Sequence, residues 1–286
     1  MNTTEPKYKR QRYLLSFIRQ LEDGISTTDL QKLVFLSSQY EGLDYYKFIP
    51  YLYGSYSFQL AEDLEILQRD GHVQIGDQGI SATGKYSKVK AFQIPIERRK
   101  KLLTKAYREF PYYTIHSEIL SQLFYGEELE KFYEQRIRYH NSEQVLFTMG
   151  YEGKCIEDFF NIMLQNNVRV LCDVRKNPLS RKFMFSKSSL EHICSKLNIA
   201  YVHIPELGID SKKRTSLETA DDYKSLFSDY EKTLHGLTKY FEQIYTLLQT
   251  NVRITLMCFE QDPLMCHRNI IKNYLVQTYK IKSDDI

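Results

Sequence analysis

The chain has no tryptophan and only five cysteines in 286 residues. Cys155, Cys172, Cys194, Cys258 and Cys266 show neither CxxC spacing nor the even-numbered pattern of a disulfide framework. With no apolar signal segment at the start, that usage points to a reduced, cytoplasmic setting. Apolar runs are short as well. None approaches the roughly 20 residues that a membrane-spanning helix needs, so a membrane partner is not expected. There is no internal repeat and no low-complexity segment, and a net charge of +3 is too small to name a partner.

Aromatic side chains are abundant: 23 Tyr and 16 Phe. Such rings can stack on bases, but they more often fill cores and interfaces. Hydrophobic content of 42% and charged content of 26% lie in the globular range, and the length accommodates two domains.

Three segments follow from periodicity. In residues 1–92, Leu14, Leu15, Phe17, Ile18 and Leu21 form one apolar helical face. Ser26, Thr27 and Thr28 offer caps for a second helix carrying Leu30, Leu33, Val34 and Phe35. A third helix is expected from about Ser55 to Gln68. A short hairpin, His72 to Ile75 with Gly79 to Thr83, follows the Asp70-Gly71 turn, giving the element order of a winged helix-turn-helix. Residues 93–144 read as a charged helical connector broken at Pro111. Residues 145–286 alternate strands (VLFTMG, VRVLCDVR, IAYVHI, VRITLMC) with helices. This predicts an α/β, Rossmann-like fold, a mostly parallel sheet flanked by helices, preceded by a mainly helical winged-helix-like domain.

In open α/β sheets ligands bind outside the carboxyl ends of the strands, where the polar residues of this chain collect. The first strand leads to Gly150, Tyr151 and Glu152; the second to Asp173, Arg175, Ser180 and Arg181. The third leads to Glu206 and Gly208, and the fourth to Cys258, Glu260, Cys266, His267 and Arg268. In CFEQDPLMCHR the last helix is expected to open near Cys266-His267-Arg268. Its N-terminus favours an anion and lowers a cysteine pKa, and Arg268 is a bidentate donor for phosphate. Each group also has a plainer reading. Asp173 and Arg175 could pair to tie down a strand end, the other cysteines and His203 suit a core, and Tyr151 and Phe185 could stack a base or wall the pocket. Cys258, Glu260, Cys266 and His267 could ligate a metal, but no CxxC or HxxxH spacing supports one, and neither metal nor cofactor is expected.

TMGYEG, DVRKNPLSRKFMFS, HIPELG and CFEQDPLMCHR, in that order, resemble the family called domain of unknown function 488 over about Leu146 to Lys280. No established activity and no catalytic role come with that resemblance. LQKLVFLSSQ, FIPYLYGSYSFQLAEDLEIL and RDGHV are similar to the helical domain of the SocA-like, or Panacea, antitoxin group, although Gly54-Ser55 stands where Gly-Pro is frequent. The pairing implies a DNA-related or genome-defence setting.

The first expectation is an enzyme acting on a phosphate-bearing small molecule, a nucleotide or nucleic acid. Arg175, Arg181 and Arg268 would hold the anion, with Gly150, Tyr151, Glu152 and Glu206 completing the substrate site. Glu260 or Asp173 would be general acid or base, and Cys266 or His267 nucleophile or proton shuttle. The alternative is a non-catalytic nucleotide sensor that regulates DNA or protein binding by the front domain. A third possibility is a homo-oligomer or complex subunit docking through its aromatic connector. DNA contact would fall on Lys85, Lys88, Lys90, Arg98 and Arg99. Against it, residues 1–92 carry as many acidic as basic groups, and the third helix bears Glu62, Asp63 and Glu65.

Overall fold

The computed structural model describes residues 5–21, 25–77, 79–83, 99–138, 141–214 and 220–286. The chain divides into two compact units, Met1–Arg138 and Tyr139–Ile286.

The first unit begins with α1 (Lys9–Ile18) and α2 (Thr27–Glu41). Ser26 caps α2 by accepting from the Asp29 backbone N–H at 3.1 Å, and Gly42 ends it in the left-handed region at φ 66°. A hairpin, β1 (Ile49–Tyr51) and β2 (Gly54–Tyr56), precedes α3 (Phe58–Arg69). The expected hairpin follows as β3 (Val73–Gly76) and β4 (Gly79–Ala82). The first hairpin was not foreseen because its three-residue strands are too short for an alternation to show. Then come α4 (Arg99–Glu109), a short turn of helix at Pro111–Thr114, α5 (Leu120–Leu123) and α6 (Gly126–Arg138). Leu102, Ala106, Tyr107, Leu120, Phe124 and Phe132 of this stretch share one apolar cluster with Leu14, Leu33 and Leu64. Asp63 is not presented to solvent. It is fully buried, taking Arg10 at 2.6 Å, Gln11 at 3.0 Å and the Tyr46 hydroxyl at 3.1 Å.

The second unit is a five-stranded, all-parallel sheet flanked by helices. It comprises β5 (Val145–Gly150), α7 (Ile156–Gln165), β6 (Val170–Asp173), α8 (Lys187–Lys196), β7 (Ala200–His203), α9 (Ala220–Thr233), α10 (Thr238–Asn251), β8 (Arg253–Cys258), α11 (His267–Tyr279) and β9 (Ser283–Asp285). Strand order is β7-β6-β8-β5-β9. β9 escaped the sequence reading because its three residues, Ser-Asp-Asp, carry no apolar signal. It is held at the sheet edge by Thr148, whose hydroxyl donates to Asp285 at 2.6 Å. α9 and α10 are joined by a single short 3-10 turn at Leu234–Leu237.

Connections from β5 to β6 to β7 move one way across the sheet, and those from β7 to β8 to β9 move the other. Right-handed crossovers then place α7 and α8 on one face and the last three helices on the opposite face. Accordingly Leu146, Cys172, Ile254 and Leu256 pack with Phe241, Ile244, Ile271 and Leu275. The chain leaves β6 toward one face and the adjacent β8 toward the other. The crevice beyond their carboxyl ends is therefore a topological switch point, where such sheets bind ligands.

Candidate functional site

Asp173 ends β6 and is fully buried; Arg175, two residues on, is 6% exposed. The guanidinium grips the carboxylate with two bonds, Nε to Oδ1 at 2.8 Å and Nη2 to Oδ2 at 2.6 Å. Its Nη1 donates to the Tyr151 hydroxyl at 3.1 Å and to the Phe185 carbonyl at 2.9 Å. Tyr201 donates to the same Asp173 Oδ2 at 2.6 Å. Burial disfavours the charge on Arg175, but the Asp173 carboxylate outweighs it and the net shift is upward. Burial and then Asp173 push the Tyr201 phenol up. Tyr151 and Phe185 stack on one another, centroids 4.5 Å apart, and Phe259 meets Tyr151 edge-on. The arginine expected to hold an anion is thus engaged by the protein itself, forming the floor beneath the switch point.

Arg268 is also turned inward. It is 1% exposed and donates to the Thr148 hydroxyl at 3.2 Å, to the Glu260 carbonyl and to the Gln261 carbonyl at 2.9 Å. It ties the loop after β8 to the middle of β5. Glu152 fastens the same loop by accepting from the Gln261 N–H at 2.9 Å. Gly150 is where that loop crosses β5, since a Cβ there would lie 1.8 Å from the Glu260 carbonyl oxygen. Gly208 has the same purpose on the other side, where a Cβ would stand 2.1 Å from the Lys176 nitrogen.

Cys258 ends β8, Cys266 is the cap residue of α11, and His267 is its first residue. All three are buried. His267 Nδ1 lies 3.7 Å from the Cys258 sulfur and 3.9 Å from the Cys266 sulfur, while Nε2 faces the Val174 carbonyl at 3.1 Å. Cys258 also contacts the Glu260 carboxylate at 3.3 Å. Burial, then the neighbouring Cys258, pushes the Cys266 thiol well up, opposite to the thiolate expected from a helix N-terminus. The helix end is present, but desolvation outweighs it.

Above this floor lies a cleft of about 360 Å³ lined by Tyr151, Arg175, Lys176, Leu179, Cys258 and Phe259, among others. Leu179 is 73% exposed and Phe259 43%, so the rim offers apolar surface next to a lysine. Glu206 and Gly208 line an adjoining groove of about 750 Å³ that shares Lys176, Ile209 and Asp210 with the cleft. Arg181 is exposed and lines neither. Lys85, Lys88, Lys90 and Arg98 lie outside the described residues, and Arg99 opens α4.

The expected residues therefore form three neighbouring sets: Tyr151, Asp173 and Arg175; Cys258, Glu260, Cys266 and His267; and Gly150, Glu152 and Arg268 around one loop. Sequence reasoning missed Tyr201, Lys176 and Phe259, as well as Lys182 and Lys154. The ammonium of Lys182 donates to the Tyr151 carbonyl at 2.7 Å and that of Lys154 to the Gly150 carbonyl at 3.1 Å. Tyr201 was visible only as one side of an alternating strand, and nothing local tells that its hydroxyl ends on Asp173.

The second unit is thus a parallel α/β domain with a ligand-sized cleft at its topological switch point and a buried Cys-Cys-His cluster below it. Residues 155–275 match the family described as Domain of unknown function DUF488, a span that holds three of the four motifs and begins just after TMGYEG. No curated protein and no solved structure matches the chain. Among the described residues, no helix is long and apolar enough to cross a membrane.

Proposed function

We propose that the second unit binds a phosphate-bearing ligand, a nucleotide or a nucleic-acid strand, in the cleft beyond β5, β6 and β8, and acts on it as an enzyme. The observation that carries this reading is the position of the cleft at the switch point, with an exposed aromatic ring and a lysine on its rim. Phe259 and Leu179 offer apolar faces to a base. Lys176 supplies charge for phosphate. Arg175 and Arg268 set the shape of the site instead of contacting the ligand. Glu260, half-buried just past β8, takes the part of general acid or base, because both oxygens of Asp173 are occupied and Cys266 is enclosed.

The enclosure of Cys266 also favours a second reading, a non-catalytic regulator that binds the same ligand class. Incubation of the protein with a panel of nucleotides and short DNA and RNA strands, read by mass spectrometry for bound ligand and for product, separates the two. Lys176→Ala is expected to weaken binding about tenfold, the loss of a charge-assisted hydrogen bond. Glu260→Gln is expected to keep binding and abolish product. Binding with no product from the wild type selects the regulator, and no binding by any panel member refutes both.

A further inference from the structure

The cluster below the cleft has the donor set, spacing and orientation of a metal site, and we propose that Cys258, Cys266 and His267 bind a zinc ion. Their ligand atoms all lie within 4.8 Å of one another. With metal–sulfur and metal–nitrogen bonds of about 2.3 and 2.05 Å, a tetrahedral ion holds its sulfur and nitrogen ligands about 3.6 Å apart. The two observed sulfur-to-Nδ1 separations are 3.7 and 3.9 Å and the two sulfurs lie within 4.8 Å of one another, so closing the three atoms on an ion requires a contraction of at most about 1 Å.

The imidazole is also set correctly. Its Nε2 faces the Val174 carbonyl at 3.1 Å, which takes the ring proton there and directs the Nδ1 lone pair at both sulfurs. A backbone carbonyl behind a ligating histidine is the usual arrangement at zinc sites. Thiolate and imidazole donors select zinc over magnesium or calcium. Charge balances as well: each thiol gives up a proton to solvent, and two thiolates neutralise a divalent cation in a buried setting that would not tolerate a bare charge. The neighbouring Arg268 guanidinium does not compete, being directed at Thr148 and two loop carbonyls. Beside these three ligands stands Glu260, its carboxylate 3.3 Å from the Cys258 sulfur. Cys258 also lines the cleft. A position left open toward a cleft is the pattern of a reactive zinc site, and a fourth protein ligand would make a structural one. The zinc assignment itself stands whether or not the cleft takes a phosphate-bearing ligand.

The test uses the full chain purified under reducing conditions without chelator. Elemental analysis is expected to find about one zinc per chain after exhaustive dialysis. Replacement by cobalt is expected to produce the intense visible and near-ultraviolet bands of tetrahedral cobalt–thiolate coordination. Cys266→Ser and His267→Asn should lose the metal, while Cys194→Ser, at a buried cysteine of α8, should retain it. Should the ligand variants fail to fold, X-ray absorption on the cobalt-substituted wild type still reads sulfur and nitrogen neighbours directly. Failure of the reduced wild type to retain or take up zinc or cobalt would overturn the proposal. So would equal metal in Cys266→Ser, or a Cys258–Cys266 disulfide that persists under those reducing conditions in a metal-free protein.

Discussion

Replacing Asp173 by Asn decides whether Arg175 is a structural group or a ligand group. The substitution preserves shape, removes the carboxylate charge and turns one acceptor oxygen into a donor. In the wild type that carboxylate is fully buried and receives two guanidinium bonds, the Arg175 backbone N–H at 3.1 Å and the Tyr201 hydroxyl. Arg175 is itself enclosed, so its charge would be left without a counter-ion away from water. Breaking a buried pair in this way costs about 3–5 kcal/mol. Tyr201→Phe removes only one hydrogen bond to the charged group and is expected to cost about 1–2 kcal/mol. Because both variants act on one carboxylate, the double variant should be less destabilised than the sum by about 1 kcal/mol. The chain has no tryptophan, so unfolding in urea is followed by far-ultraviolet circular dichroism and tyrosine fluorescence. If Asp173→Asn costs less than about 1 kcal/mol, Arg175 is not held by Asp173 in solution. The guanidinium would then be available to an anion, as the sequence suggested.

Two further outcomes follow from single positions. Lys32 is enclosed within the first unit, donating to the Ser55 carbonyl, and burial lowers its pKa to about 7 from 10.5. A folded pKa below the unfolded value means that the unfolded chain binds more protons between those values, so this group makes stability rise with pH across that window. The advantage of Lys32→Met over wild type should therefore shrink by about 2 kcal/mol between about pH 7 and about pH 9, measured by denaturation of both proteins. A wild-type and variant pair with parallel pH profiles would show that Lys32 does not titrate there. Gly150→Ala should destabilise the second unit by more than about 3 kcal/mol, because the added carbon meets backbone and not a movable side chain. Gly236→Ala, with nothing within 4 Å, is the control expected to stay within about 0.5 kcal/mol. Thermal melts of the two would check this, and equal melting temperatures would refute the crossing of the loop over β5.

The class of the second unit, the family its motifs resemble and the edge of the sheet to which its polar residues go are all legible along the chain. Apolar strands such as VRITLMC alternating with amphipathic helices leave few alternatives to a parallel sheet, and residues following such strands must emerge at the carboxyl edge. These are local consequences of side-chain periodicity and connection handedness. Periodicity was silent on β9, whose three polar residues become a strand only because β5 offers them an edge. What each polar group does there was decided by the tertiary structure. Arg175 and Arg268 look alike in the sequence as anion ligands, yet Arg175 is taken up by Asp173 two residues back, as the strand-end reading of that pair allows, and Arg268 by Thr148 and two carbonyls of the loop after β8. Cys266 sits at a helix start, where its thiol should acidify, but Tyr230 and the sheet enclose it and burial prevails. Metal-ligand spacing is absent along the chain, yet the end of β8 and the start of α11 are brought together by a short loop. The Val174 carbonyl, contributed by the segment after β6, then turns His267 toward both sulfurs. Contacts such as those of His267 with Val174 and Arg268 with Thr148 join residues far apart in sequence, which no one-dimensional pattern encodes.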